Sequence, residues 1–131
     1  MIGVDTNVIV RFVVKDDAEQ SEAAARFFAE RSQTDPAFIT IVTLVETVWT
    51  LKRSYWLQPD AVTRFVRGLL GSGDVVLQAP DVVRRALTEA EEAHTDFADA
   101  VIALLAIDAD CDHTVTFDKR ATELPGMLLL T

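Results

Sequence analysis

Apolar positions along the chain fall into two kinds of run. Short runs at residues 2–4, 38–40, 75–77, 113–117 and 127–130 have the length and the bounding residues of buried strands. Between them, apolar residues recur at helical spacing. Over 17–31, Ala24, Phe27 and Phe28 lie toward one face and Glu19, Glu22 and Arg26 away from it. Asp5-Thr6-Asn7 reads as the exit of the first strand into a helix. Asp35-Pro36 breaks the chain. Residues 41–51 are rich in Val, Ile and Thr, so propensity favours a strand. Leu44, Val48, Leu51 and Tyr55 recur every three or four residues, however, and a charged Glu46 inside a buried strand would be costly, which predicts a helix over 43–55.

Pro59-Asp60 opens a helix to about Leu70, closed by Gly71-Ser72-Gly73. Asp81 is the expected cap of a helix reaching about His94. Thr95 or Asp96 caps the next, whose apolar side is expected to hold Ala98, Val101, Ile102, Leu105 and Ala106. Strands alternate with helices, so the sheet should be mostly parallel and covered on both faces. No repeat or linker-like stretch interrupts the pattern, and residues 1–131 read as a single domain.

Composition is globular, with half the residues hydrophobic and a quarter charged. The apolar runs are too short to span a bilayer, and the first residues lack the basic start of a signal peptide. One cysteine, Cys111, excludes an internal disulfide and a cysteine-rich zinc site, and a reducing cytoplasm is the expected compartment. The net charge of −9 argues against general nucleic-acid binding, which rests on Lys and Arg, and suits a basic protein partner. Lys52-Arg53, Arg64 with Arg67, and Arg84-Arg85 are candidate basic patches, each also readable as a solvated helix face.

Acids appear where they are unwelcome. Asp5 and Asp118 follow strands, Glu46 sits in an apolar helix, and Asp96 and Asp99 open another. In parallel α/β folds, functional groups gather outside the carboxyl ends of the strands, a rim all five can reach. Clustered carboxylates repel unless a hard divalent cation, which prefers oxygen ligands, joins them. Each acid also has a plain explanation. Asp5 and Asp96 suit helix caps, Asp99 a first helical turn, and Asp118 a turn beside Lys119. Glu46 could pair with Lys52 or Arg53. His94 and His113 stay outside the site, and Trp49 and Trp56 are expected in the core or an interface. An aspartate-based phosphatase needs Asp-x-Asp after the first strand, where Asn7 holds the third position.

Four strings together resemble the PIN-domain ribonucleases, in particular the VapC-type toxins of toxin–antitoxin pairs. They are Ile2-Gly3-Val4-Asp5-Thr6-Asn7, Thr43-Leu44-Val45-Glu46-Thr47-Val48-Trp49, Asp96-Phe97-Ala98-Asp99-Ala100-Val101-Ile102-Ala103 and Val115-Thr116-Phe117-Asp118-Lys119. The resemblance covers essentially the whole chain. It implies a three-layer α/β/α sandwich around a central mostly parallel sheet, and cleavage of single-stranded or loop RNA with Mg2+ or Mn2+. It makes Asp5 and Asp99 the main metal ligands, with Glu46 and Asp118 completing the acidic pocket and Asp96 contributing. Thr6, Asn7 and Thr116 would steady the carboxylates. Homodimerisation and a cognate antitoxin are implied as well. The competing expectation is a catalytically inactive module of the same fold that docks a basic protein.

Overall fold

Parallel pairing carries both halves of the chain. In the computed structural model, which describes residues 1–131, β1 (Ile2–Gly3) pairs in parallel with β2 (Ala37–Ile39), and β2 with β3 (Val75–Leu77). Farther on, β4 (Thr114–Thr116) pairs in parallel with β5 (Met127–Leu129). Six helices join the strands: α1 (Thr6–Val13), α2 (Ala18–Ala29), α3 (Ile41–Tyr55), α4 (Pro59–Gly71), α5 (Pro80–Ala93) and α6 (Phe97–Asp108). The parallel α/β class expected from the alternation is therefore present, with the hydrogen bonds making a three-stranded and a two-stranded sheet.

The chain forms two compact units, Met1–Gln78 and Ala79–Thr131. In the first, α1 packs on α2 and α3, and α4 packs on β3. Its core holds Ile9, Ile39, Leu44, Leu51 and Val66, all nearly or wholly sealed from water. The 41–55 segment is a helix despite its β-branched content. Thr40 caps it by accepting from the Thr43 N–H at 3.1 Å, and Leu44, Val48 and Leu51 bury one face. Tertiary burial of one stripe outweighs a propensity difference of a few tenths of a kcal/mol per residue, an estimate of roughly 0.5. β1 is shorter than expected and exposed rather than buried.

In the second unit α5 packs on α6, and the 3-10 turn at Arg120–Glu123 packs on β5. Two expectations change here. Asp81 does not cap α5: Ala79, with φ 49, is the cap, Pro80 is the first helical residue, and Asp81 binds Arg84 at 2.9 Å. Proline suits that first position because the N–H it lacks has no helical partner there. On α6 the buried residues are Phe97, Ala100, Val101, Ala103 and Leu104, while Ile102 and Leu105 are exposed. The helix is apolar nearly all round, so its spacing does not single out a buried face. Gly126, with φ 71, turns the chain into β5 and accepts from the Thr114 N–H at 2.8 Å, which aligns β4 and β5.

Candidate active site

Asp5 follows the first strand in extended conformation at the N-cap of α1, yet its side chain makes no capping hydrogen bond. Its carbonyl accepts from the Val8 N–H at 3.1 Å, while the carboxylate is exposed and meets no protein donor. Asp17 makes the contrast: its carboxylate caps α2 by accepting from the Gln20 N–H at 3.0 Å. The capping explanation of Asp5 thus loses its main support. Thr6 is buried at the first position of α1 and Asn7 is exposed.

Asp5 and Asn7 line a cleft of about 520 Å3 between α1 and α2, floored by Val4, Val8, Ala24 and Phe27. Arg11 stands in its wall. Its guanidinium donates to Gln20 at 2.8 Å, to Asp16 at 3.2 Å and to the Tyr55 hydroxyl at 3.3 Å, and that hydroxyl donates to Asp16 at 2.8 Å. The Tyr55 hydrogen bond, and next the charge of Asp16, raise the guanidinium pKa further, so Arg11 is a fixed cation. The sequence reading missed Arg11. The available signal was one cation set in the apolar string Val8-Ile9-Val10-Arg11-Phe12-Val13-Val14.

Glu46 lies on the exposed side of α3, opposite Leu44, Val48 and Leu51. Next to it, Thr47 is fully buried and donates to the Thr43 carbonyl at 2.7 Å, which satisfies its hydroxyl inside the core. The pairing of Glu46 with Arg53 is not formed. The Arg53 guanidinium lies over the Trp49 ring, 5.5 Å from its centroid, and Glu46 makes no hydrogen bond or ion pair. Trp49 and Trp56 are 55% and 81% exposed, so neither belongs to the core.

In the second unit Asp96 is the exposed N-cap of α6, with no capping hydrogen bond from its side chain, and the half-buried Asp99 lies in the first turn. Asp118 follows β4 in a local turn. Its N–H donates to the Thr116 hydroxyl at 3.0 Å, and its carboxylate accepts from the Arg120 N–H at 2.9 Å. Thr116 therefore steadies the Asp118 backbone, and Asp118 keeps one carboxylate oxygen free of that turn bond. His94 ends α5 as its C-cap, in the left-handed region at φ 53.

The arginine patches are largely quenched locally. Arg64 meets Asp60 at 3.3 Å, Arg84 meets Asp81 at 2.9 Å, and Arg85 meets Asp108 at 2.8 Å. These exposed pairs fit the solvated-face explanation. Within each unit, no group of three or more His, Cys, Asp or Glu side chains is close enough to hold a metal ion. The donor chemistry of the five acids nevertheless suits a hard cation. All are carboxylates, and Asp5 and Glu46 stand without a protein counter-charge.

A comparison with protein families matches the PIN domain over residues 2–127. No curated protein matches the chain. Among solved structures, the chain is similar to one from a toxin–antitoxin complex of Klebsiella pneumoniae, at 19% identity, covering 98% of this chain and 96% of that chain, with a TM-score of 0.37.

Proposed function

The chain belongs to the PIN-domain family, and on that premise we propose that it is a metal-dependent endoribonuclease, the toxin of a VapC-type toxin–antitoxin pair. The observation that carries this reading is the family match over residues 2–127, which takes in all the acidic strings around Asp5, Glu46, Asp96, Asp99 and Asp118. It also spans both compact units, in favour of one functional domain. The unpartnered carboxylates of Asp5 and Glu46 support the reading further, since acids left without a protein partner are suited to a cation.

On this reading Asp5 and Asp99 hold Mg2+ or Mn2+, with Asp118 and Asp96 contributing and Glu46 completing the acidic set. A divalent ion, when bound, supplies Lewis acidity that acidifies water and offsets charge on a phosphodiester. The side chains do the rest. Asp5, at the mouth of α1, presents both oxygens outward because none is spent on the helix cap. Thr116 and the Arg120 N–H fix the orientation of Asp118. Asn7, exposed beside Asp5 on the same cleft, is placed to orient an incoming phosphate or ribose hydroxyl. The substrate is single-stranded or loop RNA, whose unstacked backbone can reach an acidic site. The protein works in the cytoplasm as a homodimer, and a cognate antitoxin, basic enough to meet a chain of charge −9, holds it inactive.

The direct test is induced expression followed by mapping of new RNA ends in total cellular RNA. Discrete new ends, absent when Asp99→Asn is expressed, are expected. RNA left intact by folded, partner-free wild-type protein with Mn2+ present would overturn the reading in favour of a module that only docks a basic partner.

A further inference from the structure

The cleft between α1 and α2 opens at Asp5 and runs along α1 past Asn7 to Arg11. Arg11 follows Asp5 by six residues, which places it about 9 Å farther along the helix at 1.5 Å per residue. The volume, about 520 Å3, is that of a site for one small group rather than for a folded partner. Val4, Val8, Ala24 and Phe27 give it an apolar floor, and the Arg31 guanidinium braces Phe27 from 4.6 Å above its ring centroid. A flat apolar body with a polar edge suits such a floor.

The wall decides which edge. Arg11 donates from Nε to Gln20 Oε1 and from Nη1 to Asp16 and the Tyr55 hydroxyl, which leaves Nη2 unspent. A guanidinium only donates, so the bond to Oε1 turns the Gln20 carbonyl toward Arg11 and its NH2 away. No bond takes up that NH2. Arg11 and Gln20 therefore offer neighbouring N–H donors to the cleft, and the one acceptor between them is engaged in their own contact. Asp16 already balances the Arg11 charge, and Tyr55 donates to that carboxylate at 2.8 Å. What remains is directional donors rather than net charge, which favours a neutral acceptor edge over a phosphate. A cationic side chain from a protein partner would leave these donors unpaired.

We infer that this cleft is a nucleobase subsite, in which Arg11 and Gln20 read the O6 and N7 acceptors of a guanine beside the scissile phosphate. Guanine presents two acceptors on that edge. Adenine presents N7 and an amino donor, which meets the donors of the wall head-on, and cytosine presents an amino donor as well. Single-stranded RNA can supply the base, because its unstacked bases are free to stack on aromatic rings and to pair along their edges. The base contact stands on the cleft alone; its consequence for where RNA is cut rests on the nuclease reading above.

Binding is read first, without cleavage. Asp99→Asn protein with Mn2+ is titrated into labelled oligouridine carrying one central guanine, hypoxanthine, 7-deazaguanine or adenine, and fluorescence anisotropy gives the affinities. Guanine and hypoxanthine, which share O6 and N7, should bind about 5- to 150-fold tighter than adenine, the span of one bidentate base contact. The 7-deazaguanine oligomer, which lacks N7, should fall toward adenine. Gln20→Glu keeps an acceptor for Arg11 and suits the third position of α2, where an acid is favoured, but replaces the outward donor with an acceptor. It should cancel the guanine preference with an unchanged circular dichroism spectrum. Arg11→Lys keeps the charge without the fork and should do the same. In wild type, cuts mapped on cellular RNA should lie beside guanine. Absence of binding to every oligomer, equal binding of guanine and adenine, or a preference untouched by Gln20→Glu overturns the subsite. So does a Gln20→Glu protein that binds all oligomers more weakly in the same ratio, which would assign the wall to the RNA backbone. Asp99-dependent cleavage with no base preference at the cut sinks the subsite and leaves the nuclease reading. A guanine preference in binding, with a wild type that cuts no RNA, does the reverse.

Discussion

Leu51→Ala tests what holds α3, and with it Glu46, in place. Leu51 is fully buried, and with Leu44 and Val48 it forms the stripe that packs against the rest of the first unit. α3 meets both α1 and α4 there. Truncating a sealed leucine removes about three carbons from the core and leaves a cavity, at a cost of roughly 2–5 kcal/mol. For a chain between the size classes with known scaling, each kcal/mol lowers Tm by about 4 °C, so a drop on the order of 8–20 °C is expected. Val42 sits on the same helix but is 73% exposed, and Val42→Ala should stay within about 0.5 kcal/mol of wild type. Thermal melts by circular dichroism, at a concentration low enough for monomer, separate the two. Equal losses, or a Leu51→Ala loss below about 1 kcal/mol, would refute the claim that burial of this stripe outweighs the β propensity of the segment.

The N-cap aspartates of α1 and α2 should behave oppositely. Asp17→Ala removes the hydrogen bond to the Gln20 N–H and should cost about 1 kcal/mol in a urea melt. Asp5→Asn breaks no cap and should leave stability within about 0.5 kcal/mol while abolishing cleavage; a large stability loss would return Asp5 to a structural role. Asp35 sets an acid limb. The ammonium of Met1, hydrogen-bonded at 2.9 Å, and then Arg31, at 2.7 Å, hold its carboxyl below its ordinary value of 3.8. A group with a depressed folded pKa contributes stability above its unfolded value, and that contribution is lost as pH falls through the folded one. Asp35→Asn should therefore lower stability at pH 7 and flatten its decline below about pH 4, as read by urea melts across pH. An acid limb identical to wild type would count against these contacts.

Much of the fold was legible because burial imposes periodicity. The α3 helix followed from Leu44, Val48, Leu51 and Tyr55 against the local propensity, and the structure has it at Ile41–Tyr55. The parallel pairing followed from the alternation of elements. Where a pattern is degenerate, legibility ended. α6 is apolar on nearly every side, so spacing could not choose Phe97 and Leu104 over Ile102 and Leu105. The start of α5 was misread because Asp81 resembles a cap, while Pro80 one residue earlier is the stronger marker of the first helical position. The tryptophans of α3 were expected in a core or an interface, and their exposure removes the first of these. The candidate acids could be picked out by position. Their engagement could not, because whether an aspartate caps its helix, as Asp17 does and Asp5 does not, depends on a rotamer. Arg11 was overlooked because its partners Asp16, Gln20 and Tyr55 come together only through packing.

Cleavage of a defined RNA pool by purified protein, with Mn2+ or Mg2+ titrated in and then chelated, puts the central claim to its most direct test when wild type and Asp99→Asn are run side by side. The account expects cleavage that needs the added cation, stops on chelation, and falls in Asp99→Asn by more than about 100-fold, beyond the 10–100-fold typical of groups that only support a metal's ligands. Wild-type rates in Asp99→Asn, or cleavage undiminished by chelator, would contradict it.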